Sequence, residues 1–268
     1  MIRKDYADGR WGQVHLRIGA GAPGRRPLLM LHPTPKSGWI YDPLLEALGG
    51  ERGVVAPDTP GYGASDPPPA PPSIEDFAQE MLALMQRLAD DGRIAPGPFD
   101  VMGYHTGSVT AVAMADMAPG RVSHIVLVSL AAYDADVRAA KREGLRHWPV
   151  PRDDGSHLTG MWTLMQTLFD RRAPIDWKHE SLTENLRCGV RAPWGYDAVY
   201  RYDLQAALAR VRHPALILNP EDDLWNQTRI HAPLVRHARY VELPDLAHGL
   251  FMLETDRIAG LVRDFLDG

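Results

Sequence analysis

Two glycines four residues apart, in Gly103-Tyr104-His105-Thr106-Gly107, constrain this chain more than any other stretch. Before them Phe99-Asp100-Val101-Met102 reads as a short buried strand, and residues 108–117 after them read as a helix of small residues packed against it. A strand that passes into a helix through so short a segment must turn sharply, and only glycine fits where backbone meets backbone. The apical residue is then pushed out over the sheet edge at the helix N-terminus. Here that residue is His105, so the turn predicts an imidazole facing a cavity. Ser108 lies one residue past the second glycine, and it would point along the helix.

The rest of the chain fits an α/β fold around that turn. Apolar runs at 27–32, 53–57, 99–103, 125–128, 215–218 and 239–243 alternate with stretches of helical periodicity, which argues for a mostly parallel central sheet flanked by helices on both faces. Helical spacing is clearest over 74–88, after a stiff proline-rich loop at 67–72, and over 257–266. Residues 134–212 break the rhythm: they hold Trp148, Trp162, Trp177 and Trp194 but no parallel strand. They are expected to form a helical cap inserted into a core of residues 1–133 and 213–268. Gly19-Ala20-Gly21-Ala22-Pro23-Gly24 satisfies a G-x-G-x-x-G spelling, but Pro27 and a strand follow where a dinucleotide site needs a helix, so a hairpin turn is expected there.

Composition narrows the function classes. A net charge of -5 with both signs interspersed provides no basic footprint for nucleic acid. Cys188 is the only cysteine, so no disulfide framework is available. With no apolar leader at Met1 to Tyr6 and no run long enough to span a bilayer, a cytoplasmic protein without membrane association is expected. Its oligomeric state, monomer or homodimer, is not written in the sequence.

Taken in order, the landmarks resemble the α/β-hydrolase superfamily, particularly its capped branch of epoxide hydrolases, haloalkane dehalogenases, small esterases and carbon–carbon hydrolases. Leu31-His32-Pro33-Thr34-Pro35-Lys36-Ser37-Gly38-Trp39 resembles the oxyanion loop, usually H-G-x-P. Asp58-Thr59-Pro60-Gly61-Tyr62-Gly63-Ala64-Ser65-Asp66 is similar to the D-x-P-G-x-G-x-S-D turn, and residues 103–107 resemble the nucleophile elbow, usually G-x-S-x-G. Asn219-Pro220-Glu221-Asp222-Asp223 stands in place of the usual G-x-x-D, and Leu243-Pro244-Asp245-Leu246-Ala247-His248-Gly249 resembles the histidine loop.

The resemblance implies catalytic roles for His105 at the nucleophile position, Asp223 as acid and His248 as base, with Asp222 the chemically equal neighbour of the acid. It implies an oxyanion hole from the backbone N–H groups of Thr34 and Thr106, a loop-bracing role for His32, and Trp39 on an apolar pocket wall. Two departures stand out: His105 replaces the usual hydroxyl, thiol or carboxylate, and Pro33 replaces a loop glycine. An imidazole at 105 can accept an acyl group, or act as a base or hydrogen-bond donor. Hydrolysis of a small, partly apolar ester, lactone or related acyl compound at an atypical His-Asp-His site is therefore expected. A lyase or cofactor-independent proton transfer, and a ligand-binding protein without catalysis, are the alternatives. The expected partner is a small-molecule substrate. No cofactor and no metal are expected, since nothing in the spacing of His32, His105 and His248 demands an ion.

Overall fold

The structure, a computed structural model, describes residues 1–268. Eight strands form one sheet: β1 (Arg3–Gly9), β2 (Gly12–Gly19), β3 (Leu28–Leu31), β4 (Val54–Pro57), β5 (Phe99–Tyr104), β6 (Val122–Val128), β7 (Ala215–Pro220) and β8 (Ala238–Leu243). Their spatial order is β1-β2-β4-β3-β5-β6-β7-β8; β1 and β2 run antiparallel to their neighbours and every other pairing is parallel. This is the α/β-hydrolase fold. The central strands read as unbroken apolar runs because both faces are covered. Leu29, Leu31, Val101 and Leu127 pack on one side with α2 (Ile74–Asp90) and α3 (Thr106–Met117). Leu28, Met30, Met102 and Val126 pack on the other with α1 (Asp42–Leu48) and a helix at Thr255–Asp267.

Helix boundaries follow local chemistry. Ser73 caps α2 by accepting from the Asp76 N–H while the Asp76 carboxylate accepts from the Ser73 N–H, the reciprocal bonds of a capping box. Phe77, Met81, Leu84 and Leu88 then fall on its buried face. Between β6 and β7 the chain forms five α-helices and no strand: α4 (Ala135–Gly144), α5 (Ser156–Leu168), α6 (Ile175–Arg187), α7 (Trp194–Arg201) and α8 (Leu204–Leu208), the last two packing Ala198, Val199, Leu204, Ala207 and Leu208 into the core cluster shared with α2 and α3. After β7 come α9 (Trp225–His231), α10 (Leu250–Leu253) and α11 (Thr255–Asp267).

Two features differ from the sequence reading. The β1–β2 hairpin is not foreseen by it, because an edge strand carrying Arg3, Lys4, Asp5 and Asp8 lacks the apolar run of a central strand, and charge at an open edge is what keeps it unpaired. The Gly19–Gly24 segment is not a hairpin turn: it carries the chain from β2 to β3, and β4 lies between those strands. Gly21 is required there for space, since a Cβ would sit 1.9 Å from the Arg52 carbonyl carbon. No helix is long and apolar enough to cross a membrane.

Candidate active site

His105 stands at the apex of the turn between β5 and α3 with φ 51° and ψ −113°, a backbone conformation that costs on the order of 1–3 kcal/mol for a non-glycine residue. Packing enforces it. A Cβ at Gly103 would lie 2.2 Å from the Gly107 oxygen, and one at Gly107 would lie 1.9 Å from the Leu31 oxygen, so both glycines are dictated by backbone contact. Ser108, fully buried, has its Oγ 2.8 Å from both the Gly103 and Val128 carbonyl oxygens, which share its single O–H, and accepts from the Val128 N–H. It locks the turn to β6 and has no access to a cavity.

Three loops at the carboxyl ends of β5, β7 and β8 bring four titratable side chains together. His105 Nε2 lies 2.8 Å from Asp222 Oδ2 and 4.0 Å from Asp223 Oδ1. His248 Nε2 lies 2.8 Å from Asp223 Oδ1, and the two imidazole rings are 5.1 Å apart. The structure thus gathers His105, Asp223 and His248, and adds Asp222 as the buried member. Asp222 has a side chain 0% exposed; Asp223 is 46% exposed. Asp222 Oδ2 also accepts from Ser129 Oγ at 2.6 Å, and Oδ1 accepts from the Leu224 N–H at 2.8 Å. A countable signal pointed to it: measured from Asn219 in the place of the glycine of G-x-x-D, the fourth residue is Asp222 and not Asp223.

Charge fixes the proton positions. Burial pushes the Asp222 carboxyl up, but the His105 ring beside it wins and holds the carboxyl below its ordinary range. Asp223 is depressed in the same way, by His105 and His248 against burial. Ionised carboxylates only accept, so His105 Nε2 and His248 Nε2 are the donors in these pairs. Burial pulls His105 down, while the Asp222 and Asp223 charges outweigh it and leave the imidazole more basic than usual. Its Nδ1, which makes no hydrogen bond within the chain, is the nitrogen left to gain or lose a proton. Between the two pairs stands Tyr104, its hydroxyl 3.0 Å from His248 Nδ1 and 3.3 Å from Asp222 Oδ2. Burial and the two carboxylates keep that phenol protonated.

Thr106 is the first residue of α3, so its N–H has no helical partner. Thr34 accepts from the Tyr196 hydroxyl through its carbonyl at 2.8 Å, which ties the oxyanion-like loop to α7. His32 is elsewhere: its Nε2 accepts from the Thr59 N–H at 2.9 Å and its Nδ1 donates to the Pro33 carbonyl, so both nitrogens brace the loop. That geometry removes His32 from any shared metal set with His105 and His248. Trp39 packs on Trp177 of α6 at 5.5 Å, and Trp177, Phe169, Tyr104, Pro33, Lys36 and His248 line a cavity of ≈ 30 Å³, whose wall includes neither Trp39 nor His105, against the expectation for both. The larger depression of ≈ 520 Å³ between α4 and α7 contains none of these residues. Lys36, not singled out by sequence, is half-buried and donates to Ser181 O at 2.7 Å, Ser181 Oγ at 2.5 Å and Asn185 Oδ1 at 2.6 Å, all on α6. Burial pulls its ammonium down to about 7.

Fold and site together define the class: residues 28–261 match the alpha/beta hydrolase family, and the chain belongs to it. Among similar proteins, a pimeloyl-[acyl-carrier protein] methyl ester esterase from Nitrosomonas europaea is 27% identical over 266 residues, covering 89% of this chain and 94% of that protein. A pyrrolizixenacetamide deacetylase from Xenorhabdus hominickii is 29% identical over 268 residues, covering 95% and 94%. An enol-lactonase structure from Burkholderia xenovorans superimposes with a TM-score of 0.77 at 22% identity, covering 98% of this chain and all of that one, which is a likeness of fold.

Proposed function

We propose that this chain hydrolyses a small, partly apolar ester or lactone by direct attack of water, with His105 as the base at an atypical His-Asp-His site. One observation carries the reading: the elbow imidazole has its Nε2–H committed to buried Asp222, which leaves Nδ1 as an oriented, unpaired basic nitrogen. This is the relation of base to orienting acid in a triad, moved onto the elbow itself. Nδ1 lies beside the ring carbon that bears Cβ, and that crowding hinders a tetrahedral acyl adduct more than it hinders removal of a proton. Nδ1 takes a proton as water adds to the carbonyl, the backbone N–H groups of Thr34 and Thr106 receive the developing oxyanion, and the same Nδ1–H then protonates the departing alkoxide. The curated relatives that act on a methyl ester or an acetamide support acyl chemistry.

The helical insertion serves as a cap in this reading. Trp177 and the Lys36 contacts to Ser181 and Asn185 fasten α6 over the cavity beside His248, so in this reading α6 shifts outward to admit an acyl group to His105. The test is a panel of activated small esters and lactones assayed with the wild type and His105→Ala. Turnover should fall at least about a hundredfold in the variant, the low end for losing an acid–base group, with the melting temperature nearly unchanged. Unchanged turnover, or none on any acyl substrate, sinks the assignment. A burst of product with an acyl mass gain on the 103–107 peptide would replace water attack by an acyl-imidazole.

A further inference from the structure

We propose that His105, Asp222, Asp223 and His248 form a binding site for one divalent transition-metal ion. Each of the four residues offers a donor atom, and all four atoms lie within 4.8 Å of one another. For an ion with bonds of about 2.0–2.2 Å, ligands on opposite sides sit about 4.0–4.4 Å apart and tetrahedral neighbours roughly 3.3–3.6 Å apart. The observed separations of 2.8, 4.0 and 2.8 Å straddle that range, so an ion completes the set by drawing the widest pair in by roughly 0.4–0.8 Å and parting the hydrogen-bonded pairs by a similar amount.

The charge and the supports also fit. With both rings neutral, as ligation requires, the two carboxylates leave two negative charges that a divalent cation neutralises. Two nitrogen and two oxygen donors without a thiolate suit zinc, cobalt, manganese or iron over magnesium or calcium. Ligands of bound ions are held by outer hydrogen bonds, and two of the four have them: Ser129 Oγ and the Leu224 N–H hold Asp222, while Tyr104 meets His248 Nδ1. With an ion on His248 Nε2, Nδ1–H donates to the Tyr104 oxygen and the phenol donates on to Asp222, a chain in which every donor has its acceptor. Two residues of this chain produce the set together. An imidazole at the elbow and a second aspartate after Asp222 turn a three-residue constellation into four donors on loops fixed by the sheet.

An ion on His105 Nε2 moves the ring's one proton to Nδ1 and so removes the base of the ester reading; metal binding is therefore an alternative, inactive state of the same site, and it is measured without turnover. The full chain is stripped with a chelator and titrated with Co²⁺, following visible ligand-field absorption and calorimetric stoichiometry. One Co²⁺ per chain is expected, displaced by Zn²⁺. His105→Gln and Asp223→Asn should each weaken binding at least about tenfold and alter the spectrum, as loss of a ligand must. Substitution of exposed His237 should change neither. Because Asp223 is half-exposed, its variant keeps the test valid if His105→Gln fails to fold. Absence of ligand-field bands, or binding equally strong in Asp223→Asn, would overturn the site.

Discussion

His105 meets Asp222 at 2.8 Å with the carboxylate sealed from solvent, whereas His248 meets Asp223 at the same 2.8 Å with the carboxylate 46% exposed. Distance alone would make the two pairs equivalent. Solvation separates them, because an ion interaction strengthens as the local dielectric falls and a water-exposed pair is screened. Asp222 also has its other lone pairs filled by Ser129 and the Leu224 N–H, so it cannot swing away from the elbow. Asp223 has water as an alternative partner. The elbow pair is therefore built to fix one proton and one ring orientation, and the loop pair to adjust.

The largest expected effect follows from that asymmetry. Asp222→Asn preserves shape but removes the charge that orients and strengthens the base, and it should cost at least about a hundredfold in kcat/KM for the best ester or lactone. Asp223→Asn should cost less than about tenfold, as expected for a solvent-screened partner. Equal losses, or a larger loss at 223, would erase the distinction between the pairs and return the acid role to Asp223.

The difference between these neighbours also marks how far the sequence could be read. The elbow and the parallel strands were legible because each is imposed by local stereochemistry: glycines forced by backbone contact at 103 and 107, and strands apolar on both faces. Burial of one of two adjacent aspartates is a tertiary property, visible in sequence only through the count from Asn219. Lys36 was invisible for a similar reason. Its three acceptors lie on α6, about 150 residues away in the chain, and nothing local to the loop announces them. The β1–β2 hairpin escaped because its charges obey the needs of an edge and hide the alternation.

A pH profile distinguishes the pairs by a smaller, directional effect. Hydrolysis needs His105 unprotonated, and the Asp222 and Asp223 charges hold that proton more firmly than burial loosens it. The rising limb of kcat/KM should therefore lie above the ordinary imidazole value of about 6.5, with activity lost as pH falls through it. In Asp222→Asn burial is opposed by Asp223 alone, so the limb should move toward acid. A limb that stays in place in Asp222→Asn but moves in Asp223→Asn would assign the titrating base to the other pair.

The smallest effect concerns the group between the pairs. Tyr104 reaches both His248 Nδ1 and Asp222 Oδ2, yet it touches no atom that gains or loses a proton in the proposed reaction, so it acts by position. Its ring packs edge-on against His105 at 4.5 Å and against Phe251, and Tyr104→Phe keeps both contacts while deleting the hydroxyl. One hydrogen bond is worth about 0.5–1.5 kcal/mol net, which corresponds to a loss in kcat of about two- to tenfold, with KM nearly unchanged. The pH limb should shift slightly toward alkali, because Asp222, relieved of one donor, attracts the His105 proton more strongly. A loss approaching that of Asp222→Asn would mean that the hydroxyl joins the two pairs into one proton-conducting unit, and the contrast between a fixed pair and an adjustable one would no longer hold.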